Sequence, residues 1–394
     1  MPAAAQIPLS MLMVFASAKL LSEIFERLGQ PGIVGEILAG VLIGPHVLGW
    51  MAPNETLRIL SDLGVMFLLF RVGLEVKASE LVKVGGTAIL VAVAGVVLPF
   101  LCGWGISALW GEPRIESIFT GAAMVATSVG ITAQVLAGRN LLRTQAARVI
   151  LAAAVVDDVL GLIVLAAVSG LAKGAIHYVD VILTAAIALG FTVFIAVFGT
   201  GAARRLLPRV RSGLNLAESE FAIAMTLLFA LALLAVYAGV AAIIGAFLAG
   251  MALSETAETR LHDMTSGVCE LLVPFFLAGI GLHFDLAAFA TTSTLLLTAA
   301  IVLAAVASKF VGCGLGAARM GRTDAIRVGV GMVPRGEVGM VVAQIGLNLG
   351  VVASNVHAII VFMSVATTLI APPLLKLSFR RATRDEQELV AGLG

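Results

Sequence analysis

The chain has 394 residues, 60% of them hydrophobic and only 12% charged, with a formal net charge of +1. Soluble domains carry about twice that share of charge, and apolar runs of about 20 residues recur from end to end, as in a polytopic helical membrane protein. No Gly-rich phosphate loop, zinc motif, catalytic triad or basic nucleic-acid face stands out, so neither a cofactor nor a nucleic-acid partner is expected.

The first apolar run, roughly residues 7–28, lacks a basic leader and ends in SEIFERL instead of a small-residue cleavage site, so it reads as a retained span. Twelve more follow, at roughly 32–50, 57–75, 80–109, 115–137, 144–171, 178–206, 217–238, 239–254, 260–283, 286–318, 324–347 and 354–379. Residues 383–394 read as a short cytoplasmic tail. With the N-terminus outside, the inner loops and tail collect about 18 Lys and Arg, among them Arg139, Arg143, Arg204, Arg205, Arg319 and Arg322. The outer loops hold about three, Arg58, Arg114 and Lys173. This asymmetry favours an odd span count with the C-terminus in the cytoplasm. Lys19, inside the first span, reads as interfacial or lipid-facing and receives no chemistry. Cys102, Cys269 and Cys313 form no metal or disulfide spacing and read as packing residues. His46, His177, His262, His283 and His357 lie near expected loops and read as interfacial.

The chain repeats itself. VGEILAGVLIG at 34–44 echoes IGAFLAGMALS at 244–254, matching Gly35 to Gly245 and Gly40 to Gly250, and FLLFRVGL at 67–74 resembles FFLAGIGL at 275–282. The offset is seven spans, an odd number, so corresponding helices run in opposite directions. Such inverted repeats are the architecture of many secondary transporters, with the substrate site in discontinuous helices near the midplane. Two spans, again seven apart, look discontinuous. The fifth carries ATSVG, with Thr127 and Ser128 at its centre, where hydroxyls compete for the backbone. The twelfth carries MVPRGEVG, where Pro334 removes a donor and clashes with the preceding turn. Arg335 and Glu337 fall at that break.

Asp157 and Asp158 sit together in the middle of the sixth span, VILAAAVVDDVLGLIVLAAV. An ionised carboxylate at that depth costs roughly 2.5–3.5 kcal/mol by insertion scales, so an intramembrane acid reads as part of an ion or proton path. Neighbours on a helix point about 100° apart; one acid should face the path and the other a structural partner. Lys309, in IVLAAVASKFVGCG, is the natural counter-charge for an aspartate. Carboxylate, hydroxyl and carbonyl oxygens suit a small hard cation, and no soft thiolate cluster is present. A carboxylate able to hold either a proton or a cation, but not both cheaply, is sufficient for exchange.

PGIVGEILAGVLIGP, MFLLFRVGLE, ATSVGITAQVL, VVDDVLGLIVLA, PFFLAGIGL and GVGMVPRGEVGMVVAQIG together resemble the bacterial sodium/proton antiporters of the cation:proton antiporter superfamily, second branch, NapA-like. The resemblance covers nearly the whole chain. It implies an all-α fold of 13 transmembrane helices with two crossed discontinuous helices, assembled as a homodimer in the cell inner membrane. It implies a dimerisation domain from residues 1–78 and 213–284, and a core transport domain from 79–212 and 285–382 that moves like an elevator. By motif position Asp158 carries Na+ or H+. Asp157 precedes it and pairs with Lys309 in one state. Thr127 and Ser128 lie beside the ion, and Arg335 and Glu337 are charge-compensating. Two acids with a lysine imply electrogenic exchange, two protons for one Na+. K+/H+ exchange is the nearest alternative. Further removed are a gated cation channel on the same fold, a sodium-coupled solute carrier and an intramembrane enzyme.

Overall fold

The structure is a computed structural model that describes residues 3–172, 178–212, 219–283 and 291–380. Its described residues form fifteen α-helices and no strands. They are α1 (Ala3–Arg27), α2 (Gly32–Ile43), α3 (Glu55–Glu75), α4 (Ala78–Trp110), α5 (Arg114–Ala123), α6 (Val129–Ala137), α7 (Gln145–Ala172) and α8 (Tyr178–Ser212). After them come α9 (Ser219–Tyr237), α10 (Ala242–Leu253), α11 (Thr259–Leu282), α12 (Thr292–Gly316), α13 (Arg322–Gly331), α14 (Glu337–Asn348) and α15 (Ser354–Ser378). Joining α5 to α6 and α13 to α14 as interrupted spans leaves thirteen segments, the number expected from the sequence. Seven of the helices are long and apolar enough to cross a membrane unaided. The tail at 383–394, Lys173 and His177 lie outside the described residues.

Helix ends follow local chemistry. Asn54 caps α3 by accepting the Leu57 N–H at 2.9 Å, and Thr291 caps α12 through the Thr294 N–H. Gly111 closes α4 at φ 96°, in the left-handed region. The second helix departs from the expected 32–50: it stops at Ile43, and residues 45–48 form a turn. Gly44 precedes Pro45, and the residue before a proline is pushed out of helical geometry.

The internal repeat is visible as packing. A Cβ on Gly40 of α2 would lie 1.9 Å from the Ala278 carbonyl oxygen of α11, and one on Gly281 of α11 would lie 2.1 Å from that of Ile37 on α2. The matching helices make the matching contact: Gly250 of α10 against the Phe70 carbonyl at 2.1 Å, and Gly73 of α3 against that of Phe247 at 2.2 Å. Gly35 against Leu21 and Gly245 against Leu231 form a third equivalent pair, at 2.4 and 2.3 Å. Only a residue without a Cβ allows backbones this close, the small-residue packing used between membrane helices. Helices α1, α2, α3, α9, α10 and α11 thus interlock into one scaffold. Helix α4 packs along α12, α7 and α5 in a second group, joined by α13, α14 and α15.

Lys19 is not left to lipid. Its ammonium lies 3.4 Å from the buried Glu36 carboxylate of α2, and the lysine side chain is 43% exposed. The four-carbon stem lets one residue sit at the scaffold's edge and still answer a buried acid.

Candidate ion-binding site

The fifth and twelfth segments break where their sequences weaken. Helix α5 stops at Ala123 and α6 starts at Val129; α13 stops at Gly331 and α14 starts at Glu337. The intervening strands of chain cross each other. The Ser128 N–H donates to the Pro334 carbonyl at 2.8 Å. The Thr132 hydroxyl donates to Gly331 O at 2.6 Å, and the Thr127 hydroxyl reaches Met332 O at 3.4 Å. At the crossing a Cβ on Gly336 would lie 2.6 Å from Ser128 Cβ and Oγ, so this glycine permits the approach. Helix α15 holds the second break from behind: Thr367 Oγ1 accepts the Arg335 N–H at 3.1 Å, and the Thr368 hydroxyl donates to the Arg335 carbonyl at 2.6 Å.

The charges gather at the C-terminal end of α5. Lys309, fully buried on α12, uses all three ammonium protons: on Gly95 O at 2.8 Å, Val125 O at 2.7 Å and Asp157 Oδ1 at 2.8 Å. The second oxygen of Asp157 accepts the Thr127 N–H at 3.0 Å. Arg335, also fully buried, spends its guanidinium on carbonyls: Nη1 on Val125 O at 2.9 Å and Ala126 O at 3.3 Å, Nη2 on Ala305 O at 3.3 Å. A helix C-terminus is a partial negative charge with unpaired carbonyls, and here two cations cap one such end. The Glu337 side chain lies outside the described residues; its backbone opens α14.

Asp158 follows one residue on. It is 9% exposed and lines a cavity of about 10 Å³ with Leu69, Val129, Leu151, Val155, Ile243, Ile244 and Phe247. That is space for about one water centre. The Ser128 hydroxyl is buried and has no hydrogen-bond partner among the described residues.

A second, larger cavity of about 760 Å³ lies between the scaffold and the second helix group. Its mouth is where α3 and α15 begin and α11 ends, with Asn54, Glu55, Arg58, His283 and His357; its floor includes Val65, Phe276 and Met340.

The structure therefore brings Thr127, Asp157 and Lys309 into one bonded set and puts Arg335 on the same helix end. It joins Ser128 to the other broken segment and leaves Asp158 on a cavity wall. Sequence reasoning missed Gly95, Thr367 and Thr368. The adjacent hydroxyls of SVATTLIA inside an apolar span were a usable signal for the threonines; a backbone carbonyl such as that of Gly95 gives none. It also missed Glu116, whose buried carboxylate accepts the Ala353 N–H at 2.7 Å and ties the start of α5 to the start of α15.

Residues 12–380 match the sodium/hydrogen exchanger transmembrane family. The chain is 34% identical to the high-affinity Na+/H+ antiporter NhaS3 of Synechocystis, over 97% of this chain and 92% of that protein. It is 35% identical to the Na+/H+-K+ antiporter GerN of Bacillus cereus, over 93% of this chain and 95% of that one. Among solved structures, the sodium proton antiporter MjNhaP1 of Methanocaldococcus jannaschii superposes with a TM-score of 0.63, covering 95% of this chain and 96% of that one at 18% identity. The interrupted, crossed helices and the match along nearly the entire length agree: this chain belongs to the sodium/hydrogen exchanger family.

Proposed function

We propose that the chain is an electrogenic sodium/proton antiporter that exchanges cytoplasmic Na+ for external H+, with Asp158 as the carboxylate that holds either ion. The observation that carries this reading is the division of labour between adjacent acids. Both oxygens of Asp157 are committed, to Lys309 and to the Thr127 N–H, and Asp158 lines a separate small cavity with room for about one water centre. The orphaned hydroxyl of Ser128 supports an oxygen site for a hard cation at the crossing. A carboxylate that loses its proton to gain Na+ gives exchange without ATP.

Electrogenicity rests on the resemblance, in which two adjacent acids with a lysine, here Asp157, Asp158 and Lys309, go with two protons returned for each Na+. The scaffold of α1–α3 and α9–α11 corresponds to a dimerisation domain from residues 1–78 and 213–284. The remaining helices correspond to a mobile core from 79–212 and 285–382. The 760 Å³ cavity between the two groups supports alternating access by sliding of the core. With the N-terminus outside, as the Lys and Arg distribution favours, this cavity opens outward and the arrangement is outward-facing. The protein works as a homodimer in the cell inner membrane and needs no cofactor; its activity is transport and not an enzymatic conversion.

The test is dissipation of a pH gradient in proteoliposomes on addition of Na+. Wild type dissipates it and Asp158→Asn does not; exchange that survives Asp158→Asn refutes the carrier role. An imposed potential should alter the rate, since each charge is worth about 2.3 kcal/mol per 100 mV, and indifference to voltage refutes electrogenicity. A second reading, K+ as well as Na+ as cargo, is favoured by the 35% identity to a relative named as a Na+/H+-K+ antiporter. The same assay with K+ in place of Na+ decides it.

A further inference from the structure

The large cavity and the Asp158 cavity are neighbours. Val65 lies on the floor of the first, and Leu69, one turn further along α3, lines the second. Phe276 of α11 completes that floor. Both floor side chains close on one residue: a Cβ on Gly130 would lie 3.2 Å from Val65 Cγ2 and 3.4 Å from Phe276 Cε1 and Cζ. Gly130 sits in the first turn of α6, directly after Val129, which lines the Asp158 cavity. Val65 and Phe276 are buried, 5% and 3% exposed. Val65 and Phe276, from the lining of the large cavity, thus meet the backbone at Gly130, next to Val129 from the lining of the Asp158 cavity.

We infer that Val65 and Phe276 form a gate for the ion path, an apolar septum one side chain thick whose seating on Gly130 separates the Asp158 cavity from the water of the larger cavity. The inference rests on the reading of Asp158 as the carrier. An apolar constriction stops ions and proton-conducting water by dewetting, without a charged plug. The glycine eases the seating, because a Cβ at Gly130 would stand tight against Val65 and in contact with Phe276. Val65 and Phe276 belong to the scaffold and Gly130 to α6, which packs on α15 and α7 of the second helix group, so a displacement of one group against the other unseats the layer. Phe276 supplies bulk on a two-torsion side chain, and Val65 has a stiff branched one; both suit a wall that must stay closed until the backbone moves.

The test is accessibility, read independently of transport. In the full-length protein in vesicles, Val129→Cys is exposed to a membrane-impermeant methanethiosulfonate reagent from the side of the large cavity. The parent chain, with Cys102, Cys269 and Cys313 alone, supplies the background. Labelling of Val129→Cys is expected to be slow. Adding Phe276→Ala should speed it at least tenfold, and Val65→Ala should speed it less. Phe276→Leu, which keeps an apolar plug, should change it less than threefold. A proton leak that needs no Na+ should appear with Phe276→Ala and not with Phe276→Leu. If both alanine variants fold and label at the parent Val129→Cys rate, the septum is elsewhere and the inference fails. Fast labelling before any truncation overturns it equally. Labelling does not require Asp158 to carry an ion, so this failure is distinct from survival of exchange in Asp158→Asn.

Discussion

The Lys309 ammonium lies 2.8 Å from Asp157 Oδ1, with neither side chain exposed to solvent. Removing one partner strands the other, and breaking a buried pair from one side costs about 3–5 kcal/mol. Lys309→Ala should therefore lower the melting temperature in detergent markedly. Asp157→Asn should lower it less, because an amide oxygen can still accept the Thr127 N–H and the ammonium keeps its two carbonyls. The double variant Asp157→Asn with Lys309→Met should recover part of the loss. A double variant no more stable than Lys309→Ala alone would show that the pair is not the source of the effect.

The reciprocal glycines give a sharper stability test. Gly40→Ala and Gly250→Ala each drive a methyl to within about 2 Å of a carbonyl oxygen on a neighbouring helix. Backbone cannot yield as a side chain tip can, so each should cost about 1–3 kcal/mol and reduce the yield of folded protein. Gly85→Ala and Gly105→Ala meet nothing within 4 Å and should be neutral or slightly stabilising in a helix. Equal losses across all four, measured by fluorescence-detected gel filtration after heating, would contradict the packing account.

Thr368→Val removes the hydroxyl that serves the Arg335 carbonyl and keeps the side-chain shape. The orphaned buried carbonyl should cost about 1–3 kcal/mol and loosen the second break, raising the Na+ concentration at half-maximal exchange. Ser364→Ala is the control, since that hydroxyl only back-bonds to Ile360 within its own helix. If Ser364→Ala moves the Na+ dependence as far as Thr368→Val does, the threonine has no special hold on the broken segment.

In the loop between α4 and α5, burial, with the nearby Glu116 carboxylate adding to it, pushes the Glu112 carboxyl above its ordinary value. A raised folded-state value means that the folded protein holds this proton more tightly than the unfolded chain does. The group's contribution is then most favourable at acid pH and declines as pH rises through the folded value. Glu112→Gln should have a small stabilising effect at neutral pH that vanishes near pH 4. A stabilisation that grows toward acid pH would reverse the sign and refute the assignment.

Much of the backbone plan could be read from residues because it depends on local chemistry. Pro334 and the hydroxyl-rich ATSVG stretch mark the two breaks, since each weakens a helix wherever it stands. Lys309 was legible as a buried cation in need of a carboxylate. The residues alone did not say which aspartate would answer it, because that depends on the rotation of α7 against α12. The partners of Arg335 were not legible at all. Three backbone carbonyls hold its guanidinium, and carbonyls carry no signature in a sequence. The partner of Lys19 was hidden for a related reason. Its position in the first span suggested an interfacial or lipid-facing residue, and only the approach of α1 and α2, made possible by Gly35 against Leu21, brings Glu36 within reach.

The reciprocal contacts also order events during synthesis. Gly40 and Gly73 lie in the first half of the chain, yet the backbones that fill them, at Ala278 and Phe247, lie in the second. A nascent chain that has inserted α1 through α8 still holds two open seams against lipid, and neither can close until α10 and α11 leave the ribosome. The two halves complete one another, so a chain severed between α7 and α8 should still assemble when both pieces are made in the same cell.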